Sequence, residues 1–506
     1  MFKNKRITIC ILMLIICILP VLSGCISSGP DSETHDAAMS AQDKVTDRDT
    51  SPGTTDVSDE TTAAPDDTES GETSDPGDVE DALELKVYYD AATKTYMESL
   101  IEQFRKKHPE VKIITQDFSD IYVSDYIPRL TSELISGGGP DIVLFRNCCS
   151  TSNSIENLAE LINSGIFLNM DELGVNSSGC NEKVLAGGRY RGGQYIVPLD
   201  YSLGLLYTTK ERMEKYVIPY GDGITLEEFA TAIAEFYENN PGMHAFLDIY
   251  TPHDIIYKQN GLSLFDYDKG QLKTGKSTTD TLKSLSQVFD DLYPDVYGDK
   301  MMDYFFYMNM NDYKDGALGA FGAGDLLFLG DIELRGIYQS LRGINRVYYE
   351  SVSSGETPLL LPLPRIDGGN SYSPVLDYCL AVPAYTKSRT AAKLFVETAV
   401  DFETQFNTAS WYGIPVNDSL VGYIKKWYSD PGYHPSEYEF PKWCEFSPSF
   451  LKDYFGAIEN MNEAVFTDVR TGYILSDLFY GVIKDGKAVS ALIPAADSAF
   501  KKYINE

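Results

Sequence analysis

Between Leu83 and Phe145 the apolar residues switch repeatedly between a two-residue and a helical spacing, and this limits the fold more than any other feature of the chain. In "LELKVYYD" (83–90), Leu83, Leu85, Val87 and Tyr89 alternate as in a strand. In "TYMESLIEQFRKKHPE", Tyr96, Met97, Leu100, Ile101 and Phe104 share one helical face. Thr95 and Glu98 have capping-box spacing, Lys106, Lys107 and His108 suit a helix C-terminus, and Pro109 stops the helix. "VKIITQDF" then predicts a second strand. A strand, helix and strand of this length predict a βαβ unit and a parallel sheet.

The three glycines of "LISGGGPDIVLF" (134–145) fit this alternation. A phosphate-binding loop runs from strand through glycines into a helix, whose N-terminus faces the anion. Here a helical pattern (126–136) comes first and the strand "IVLF" comes after, with Gly-Pro-Asp where Gly-Lys-Ser/Thr is needed. The glycines therefore predict a helix C-cap and a sharp turn, and Asp141 is assigned to that turn.

The pattern continues with a helix in "SIENLAELINSGIF" closed at Gly165 and a hairpin turn at Gly192–Gly193. Strand residues lead to Val197, and Pro198 separates them from a second strand-like run. "GITLEEFATAIAEFYENNPG" predicts a helix with a Thr225–Glu228 capping box. "FDYDKGQLKTG" reads as a hairpin, because its Asp266 and Asp268 lack the glycine register and closing Glu of a calcium loop. Residues 359–386 read as loop and strand, "SRTAAKLFVETAVDFETQF" as one helix, and "VSALIPAADSAFKKYINE" as a terminal helix.

The beginning of the chain predicts its compartment. Lys3, Lys5 and Arg6 precede an uncharged apolar run, residues 7–22, which is shorter than the ~20 residues of a membrane span. It ends in "LSGC", which resembles the lipobox of bacterial lipoproteins. That resemblance implies cleavage after residue 24 and a lipid, palmitate among its acyl chains, on Cys25, with the remainder on the outer face of the cytoplasmic membrane. Residues 25–83 follow as an acidic tether. From 26 to 83 there are 17 acidic and 2 basic residues, a net −15 out of −33 for the chain of 506. Such a segment cannot bury enough apolar surface to offset its ordering entropy. As a flexible coil it spans roughly 40–45 Å. The overall acidity excludes nucleic-acid binding, which needs a basic footprint.

Cys148, Cys149, Cys180, Cys379 and Cys444 remain for the body of the chain, an odd number without CxxC spacing. They predict neither a zinc site nor a disulfide framework. No Gly-x-Ser-x-Gly or His-Glu-x-x-His motif occurs. The expectation is a non-enzyme without catalytic residues, metal or cofactor.

Taken in order, the segments resemble the extracellular solute-binding proteins of ABC importers, in the sugar-type family that includes maltose-binding protein. The resemblance rests on "LTSELISGGGPDIVLF", "NLAELINSGIFLNMDEL", "YRGGQYIVPLDYSLGLLYTTKERM", "ITLEEFATAIAEF", "LPLPRIDGG" and "TAAKLFVETAVDFETQFNTASWYGIPV". The chain has Tyr207-Thr208-Thr209-Lys210 where the family has Tyr-Asn-Lys, and Leu226 where it often has Trp. "YKDGALGAFGAGD" departs from the family's Gly-Lys-Ala-Ala-Met segment.

The resemblance implies an α/β fold of two lobes, discontinuous in sequence, with a ligand cleft between them. One lobe would hold residues 84–197 and 373–412, the other 198–372 and 413–506. The chain would cross at Val197–Leu199, near 370–376 and near 413–420. The family's cleft-facing segments map onto Phe145, Arg146, Asn147, Asp200, Tyr201, Asp325, Asp377, Tyr378, Trp411 and Tyr412. The implied activity is capture of a small polar solute, with sugars or oligosaccharides favoured by the 35 tyrosines, and delivery by a monomer to ABC permease subunits. The same fold would serve a membrane sensor or an adhesion system. A carbohydrate-active enzyme would need a carboxylate pair, which no spacing identifies.

Overall fold

A computed structural model describes residues 83–147, 154–221, 224–246, 255, 259–260, 264–272, 316–334, 336–337, 344–369, 371–408, 413–430, 432–433, 446–483, 487 and 489–505. Strand β1 (Glu84–Tyr89) buries Leu85 and Val87 and pairs in parallel with β2 (Lys112–Asp117), Glu84 against Lys112. Helix α1 (Lys94–Lys107) makes the crossover and buries Tyr96, Met97, Leu100, Ile101 and Phe104, the face expected from the sequence. It begins before the predicted Thr95–Glu98 box. Its entry is fixed instead by Asp90 and Thr93, where Asp90 Oδ1 accepts from the Thr93 N–H at 2.9 Å and Thr93 Oγ1 accepts from the Asp90 N–H at 3.1 Å.

Helix α2 (Val123–Ser136) ends as predicted. Gly137 has φ of 73°, and the N–H groups of Gly137 and Gly138 donate to the Leu134 and Glu133 carbonyls, which is a Schellman cap. Asp141 then holds the turn, accepting from the Lys86 N–H at 2.8 Å and from Thr386 Oγ1 at 2.6 Å. A parallel bridge from Val87 to Ile142 brings β3 (Val143–Arg146) alongside β1.

The first sheet is completed from far along the chain. Strand β13 (Tyr378–Ala381) runs antiparallel to β3 and also pairs with β6 (Val197–Pro198), so β3-β13-β6 are neighbours. Before β6 lies a hairpin of β4 (Arg189–Tyr190) and β5 (Gly193–Gln194). Its turn sits one residue earlier than predicted, at Arg191 (φ 48°) and Gly192 (φ 82°), the positive pair that a two-residue type I′ turn needs.

The second sheet is built on one long strand, β7 (Asp200–Thr209), which is buried along almost its whole length. Strands β10 (Leu329–Leu334), β11 (Pro358–Pro362), β12 (Pro374–Leu376) and β14 (Ile414–Pro415) all pair antiparallel to it. Helix α4 (Leu226–Asn239) carries the predicted capping box, with both the Thr225 and Glu228 halves formed. The 265–275 segment contains the short hairpin β8 (Phe265–Asp266) and β9 (Gln271–Leu272), in which Asp266 accepts from Lys269 rather than lying open.

The segment read as one helix over 388–406 is two. Helix α7 (Arg389–Val400) stops at Asp401, whose side chain caps α8 (Phe402–Asn407) by accepting from the Thr404 N–H at 2.8 Å. An Asp in extended conformation offers the backbone an acceptor that a helix interior does not need, which is why the helix breaks there. Helix α9 (Asp418–Ser429) follows β14, and α10 (Pro448–Glu459) packs on it. The terminal helix α12 (Val489–Asn505) packs on α3 (Leu158–Asn163) and β9, with Asn163 Nδ2 donating to the Ile504 carbonyl at 2.7 Å.

Candidate functional site at the strand crossings

Strands β1, β2 and β3 run the same way, so their carboxyl ends share one edge, and ligands of open α/β sheets bind outside such an edge. Arg146 is the last residue of β3 and lies opposite Tyr378 in the antiparallel ladder. Its Nε donates to Asp377 Oδ1 at 2.7 Å, with 23% of the Arg146 side chain and 10% of the Asp377 side chain still open to solvent. The guanidinium carbon lies 5.6 Å from the centre of the Tyr378 ring, which also stacks with Tyr96 at 4.3 Å. Tyr378 Oη donates to the Ala92 carbonyl at 3.1 Å, which ties the ring to the loop after β1. A charged fork, a carboxylate and a fixed aromatic ring thus meet at the carboxyl edge of the first sheet.

Directly behind them the chain passes between the sheets. Asp200 is fully buried, and its Oδ1 accepts from the Tyr378 N–H at 2.9 Å while its carbonyl accepts from the Asp377 N–H at 3.2 Å. Asn147 is 3% exposed; its N–H donates to the Asp377 carbonyl at 2.8 Å and its Nδ2 to Thr467 Oγ1 at 3.2 Å. Tyr201 is also fully buried, and burial pushes its phenol well above the ordinary value, so it stays neutral. Gly413 comes so near that a Cβ there would meet Asp200 Cβ and Cγ at 2.8 Å. A glycine is required at this approach.

The structure therefore sorts the expected site residues. Arg146, Asn147, Asp200, Tyr201, Asp377 and Tyr378 come together around the crossing. Among them Arg146 is partly exposed, Asp377 and Tyr378 are nearly buried, and Asp200 and Tyr201 are fully buried. Phe145 is 2% exposed and belongs to the core beside β13. Asp325 is placed elsewhere. Its backbone bonds Ala320 and His244, near Leu327, whose carbonyl accepts from Thr208 at the far end of β7. Eight residues of strand separate Asp200 from Thr208, roughly 26 Å at ~3.3 Å per residue. Trp411, Tyr412, Cys25, Cys148, Cys149 and Cys444 lie outside the described residues. Cys180 is buried, which pushes its thiol up to about 12 and leaves it unreactive.

Several residues with structural authority over the site gave no signal in the sequence. Gln405, Asn417 and Asp468 are short polar residues inside otherwise helical or loop patterns. Their importance comes from partners between 12 and 309 residues away.

Comparison with known proteins places this arrangement. The family model described as "Bacterial extracellular solute-binding protein" matches residues 90–406. The chain belongs to that family. The match covers β2, β3, β6 and β13 of the first sheet, the long strand β7, Asp377, and α7 with all but the last residue of α8. No curated protein sequence matches the chain. Among solved structures, the sugar-binding protein MalE from Xanthomonas citri is 13% identical, with 83% of this chain and 97% of that one covered and a TM-score of 0.54. An ABC transporter solute-binding protein from Thermotoga lettingae bound with α-D-tagatose is also 13% identical, covering 83% and 99% with a TM-score of 0.52. A de novo designed cysteine esterase, ECH19, is 12% identical, covering 84% and 98% with a TM-score of 0.56. At such identities the likeness shows the fold alone. It is the two-lobe α/β fold expected from the sequence.

As a bacterial extracellular solute-binding protein, the chain acts outside the cytoplasm. No helix among the described residues is long and apolar enough to cross a membrane. Arg146 and Asp377 pair with each other, and the Tyr378 ring, 7% exposed, lies against Tyr96 and the Arg146 guanidinium.

Proposed function

We propose that this chain captures a small polar solute, a sugar or an oligosaccharide, between two lobes that close over it, and passes the solute to an ABC permease. One lobe is the first sheet with its helices, and the other is the sheet built on β7. In this assignment the crossings fall at Leu199, at Asp377 and at Gly413–Asn417. The terminal helix α12 packs on α3 and on β9, and this assignment gives it to the first lobe in place of the second, where the family resemblance put residues 413–506. Arg146, Asp377 and Tyr378 face the solute, with Asn147, Asp200 and Tyr201 supporting them from behind. Trp411 and Tyr412, which directly precede Gly413 in sequence, supply further ring faces. The chain binds without catalysis, as a monomer held at the membrane by lipid on Cys25 and reaching outward on its acidic tether.

One observation carries the reading. The Arg146–Asp377 pair and the Tyr378 ring stand at the place where one strand of each sheet continues into the other. Rotation about that place opens or covers the pair, which is how two-lobe binders enclose a ligand. Polar groups beside a ring suit a sugar, whose hydroxyls need donors and acceptors and whose CH faces need an aromatic surface.

Thermal unfolding against mono- and oligosaccharides, with short peptides as a contrast set, tests it. A solute at 100 times its dissociation constant adds about 2.7 kcal/mol of stability. A shift with sugars establishes the class, and a shift with peptides alone replaces the cargo. Silence across both sets rejects a sugar as the solute.

A further inference from the structure

Leu199 is the residue at which the first sheet hands the chain to the second. Its N–H donates to the Tyr378 carbonyl at 2.8 Å, and its carbonyl accepts from the Val416 N–H at 3.1 Å. A third partner is a side chain. Gln405, fully buried on α8, donates from Nε2 to the Leu199 carbonyl at 2.8 Å and to the Ala399 carbonyl at 3.2 Å. Its Oε1 accepts from the Asn417 N–H at 3.2 Å. An amide side chain has two donors and one acceptor oxygen. Here both donors meet carbonyls and the oxygen meets an N–H, so only one orientation of the amide fits. One buried group thus spans two strands that pass between the sheets.

The helix that carries Gln405 is itself held from outside. The Gln405 N–H donates to the Asp401 carbonyl at 3.0 Å, and Asp401 caps that helix. The Asp401 carboxylate accepts from Lys107 Nζ at 2.7 Å, and Glu403 lies 3.1 Å from the same ammonium. Lys107 is the last residue of α1, the helix that covers the first sheet. A line of contacts therefore runs from α1 through Lys107, Asp401 and Gln405 to the crossing strands.

We propose that Gln405 is a positioning residue for lobe closure. It fixes two crossing strands against the helical layer of the first lobe, and Lys107 holds the helix that presents it. The inference rests on the two-lobe reading above. When lobes rotate, a few residues absorb the change in φ and ψ. Gln405 clamps the Leu199 carbonyl and the Asn417 N–H at a set separation, which confines that change to the residues beyond them on the second-sheet side. Without the clamp the pivot spreads over more residues and the lobes sample a wider range of angles. The arrangement competent to bind is then a smaller share of the population, and apparent affinity falls in proportion.

Pulsed electron resonance between bioorthogonal spin labels at Glu102 on α1 and Ser353 on α6 (Ile344–Ser354) reads the interlobe distance without any solute. Both positions are exposed and lie on helices of different sheets. Gln405→Met keeps the length of the side chain and removes both hydrogen-bonding functions. The expected result is a broadened distance distribution and exchange of the Asn417 amide about tenfold faster, the factor given by ~1.4 kcal/mol. Lys107→Met acts at a position 29% exposed and should broaden the distribution less. If Gln405→Met does not fold, Lys107→Met decides, and an unchanged distribution there overturns the proposal. Faster Asn417 exchange with an unchanged distance distribution also overturns it, since the amide would then be structural only. A wild-type distance that is single, narrow and unmoved on warming removes the two-lobe reading and the pivot with it. A mobile wild type with an unmoved Gln405→Met variant removes the pivot alone.

Discussion

Asp468 should make this protein lose stability as the pH rises from 4 to 6, the reverse of ordinary acid denaturation. Its carboxylate is 2% exposed, and burial pushes its pKa from 3.8 up to about 6. The donors around it act in the opposite sense. Tyr503 Oη at 2.5 Å, the Ala159 N–H at 2.8 Å and the Arg470 N–H at 2.8 Å all favour the charged form, and burial outweighs them. With the folded value above the unfolded one, the native state binds the proton more tightly. The contribution is complete below the unfolded value, declines through the window between the two, and is gone above about 6. A displacement of that size corresponds to ~3 kcal/mol at most. Other groups titrate in the same range, among them His244, whose value burial lowers, so the wild-type curve alone does not isolate Asp468. Asp468→Asn isolates it. The amide cannot titrate, and it presents a donor where Asp468 accepts, at a cost of ~1–3 kcal/mol that does not depend on pH. Urea midpoints of both proteins at pH 4, 5, 6 and 7 give the difference. The variant should be the less stable at pH 4, with the gap narrowing by up to ~3 kcal/mol and closing or reversing by pH 7. A constant gap would mean that Asp468 ionises at its ordinary value, and the account of its burial would be wrong.

Other perturbations reach the remaining parts of the argument. Gly413→Ala sets a methyl against Asp200 at 2.8 Å and should cost ~1–3 kcal/mol in chemical denaturation; an unaltered midpoint would show that the crossing yields easily. Thr225→Ala removes one half of a formed capping box and should cost ~1 kcal/mol, with no change in the affinity for solute. Arg146→Ala should reduce affinity for a solute identified by thermal shift at least tenfold, about 1.4 kcal/mol, and Arg146→Lys should restore only part of it because the planar fork is lost. Equal affinity by titration calorimetry would take Arg146 out of the binding surface. Trp411→Ala should weaken the same binding with little effect on unfolding, and an unchanged dissociation constant would remove Trp411 from the site.

What the sequence makes legible is whatever depends on neighbours along the chain. The buried face of α1, the Schellman cap at Gly137 and the capping box at Thr225 are each decided within a few residues, and each was readable in advance. The three local misreadings have equally local causes. Thr95 lies inside a helix whose entry is fixed by the mutual bonds of Asp90 and Thr93 ahead of it, Gly193 stood beside a turn formed by Arg191 and Gly192, and Asp401 broke a helix that its apolar periodicity carried straight through. The site belongs to a different order of information. Arg146 meets Asp377 across 231 residues, Asp200 meets Tyr378 across 178 and Gln405 meets Leu199 across 206. In sequence Arg146, Asp377, Asp200 and Tyr378 are ordinary polar residues at or beside strand ends. Their selection as candidates came from resemblance to a family, which supplies long-range register that periodicity cannot. That borrowed register picked six residues that lie around the crossing and one, Asp325, that lies near the other end of β7 and comes from "YKDGALGAFGAGD", the segment that departs from the family pattern. The residues it missed serve the crossing itself. A hinge is held by backbone carbonyls and N–H groups, which every residue has, and by the few side chains such as Gln405 whose geometry lets them reach two strands at once. No composition or spacing distinguishes that glutamine from one on a solvated helix face; only burial and the direction of its amide do.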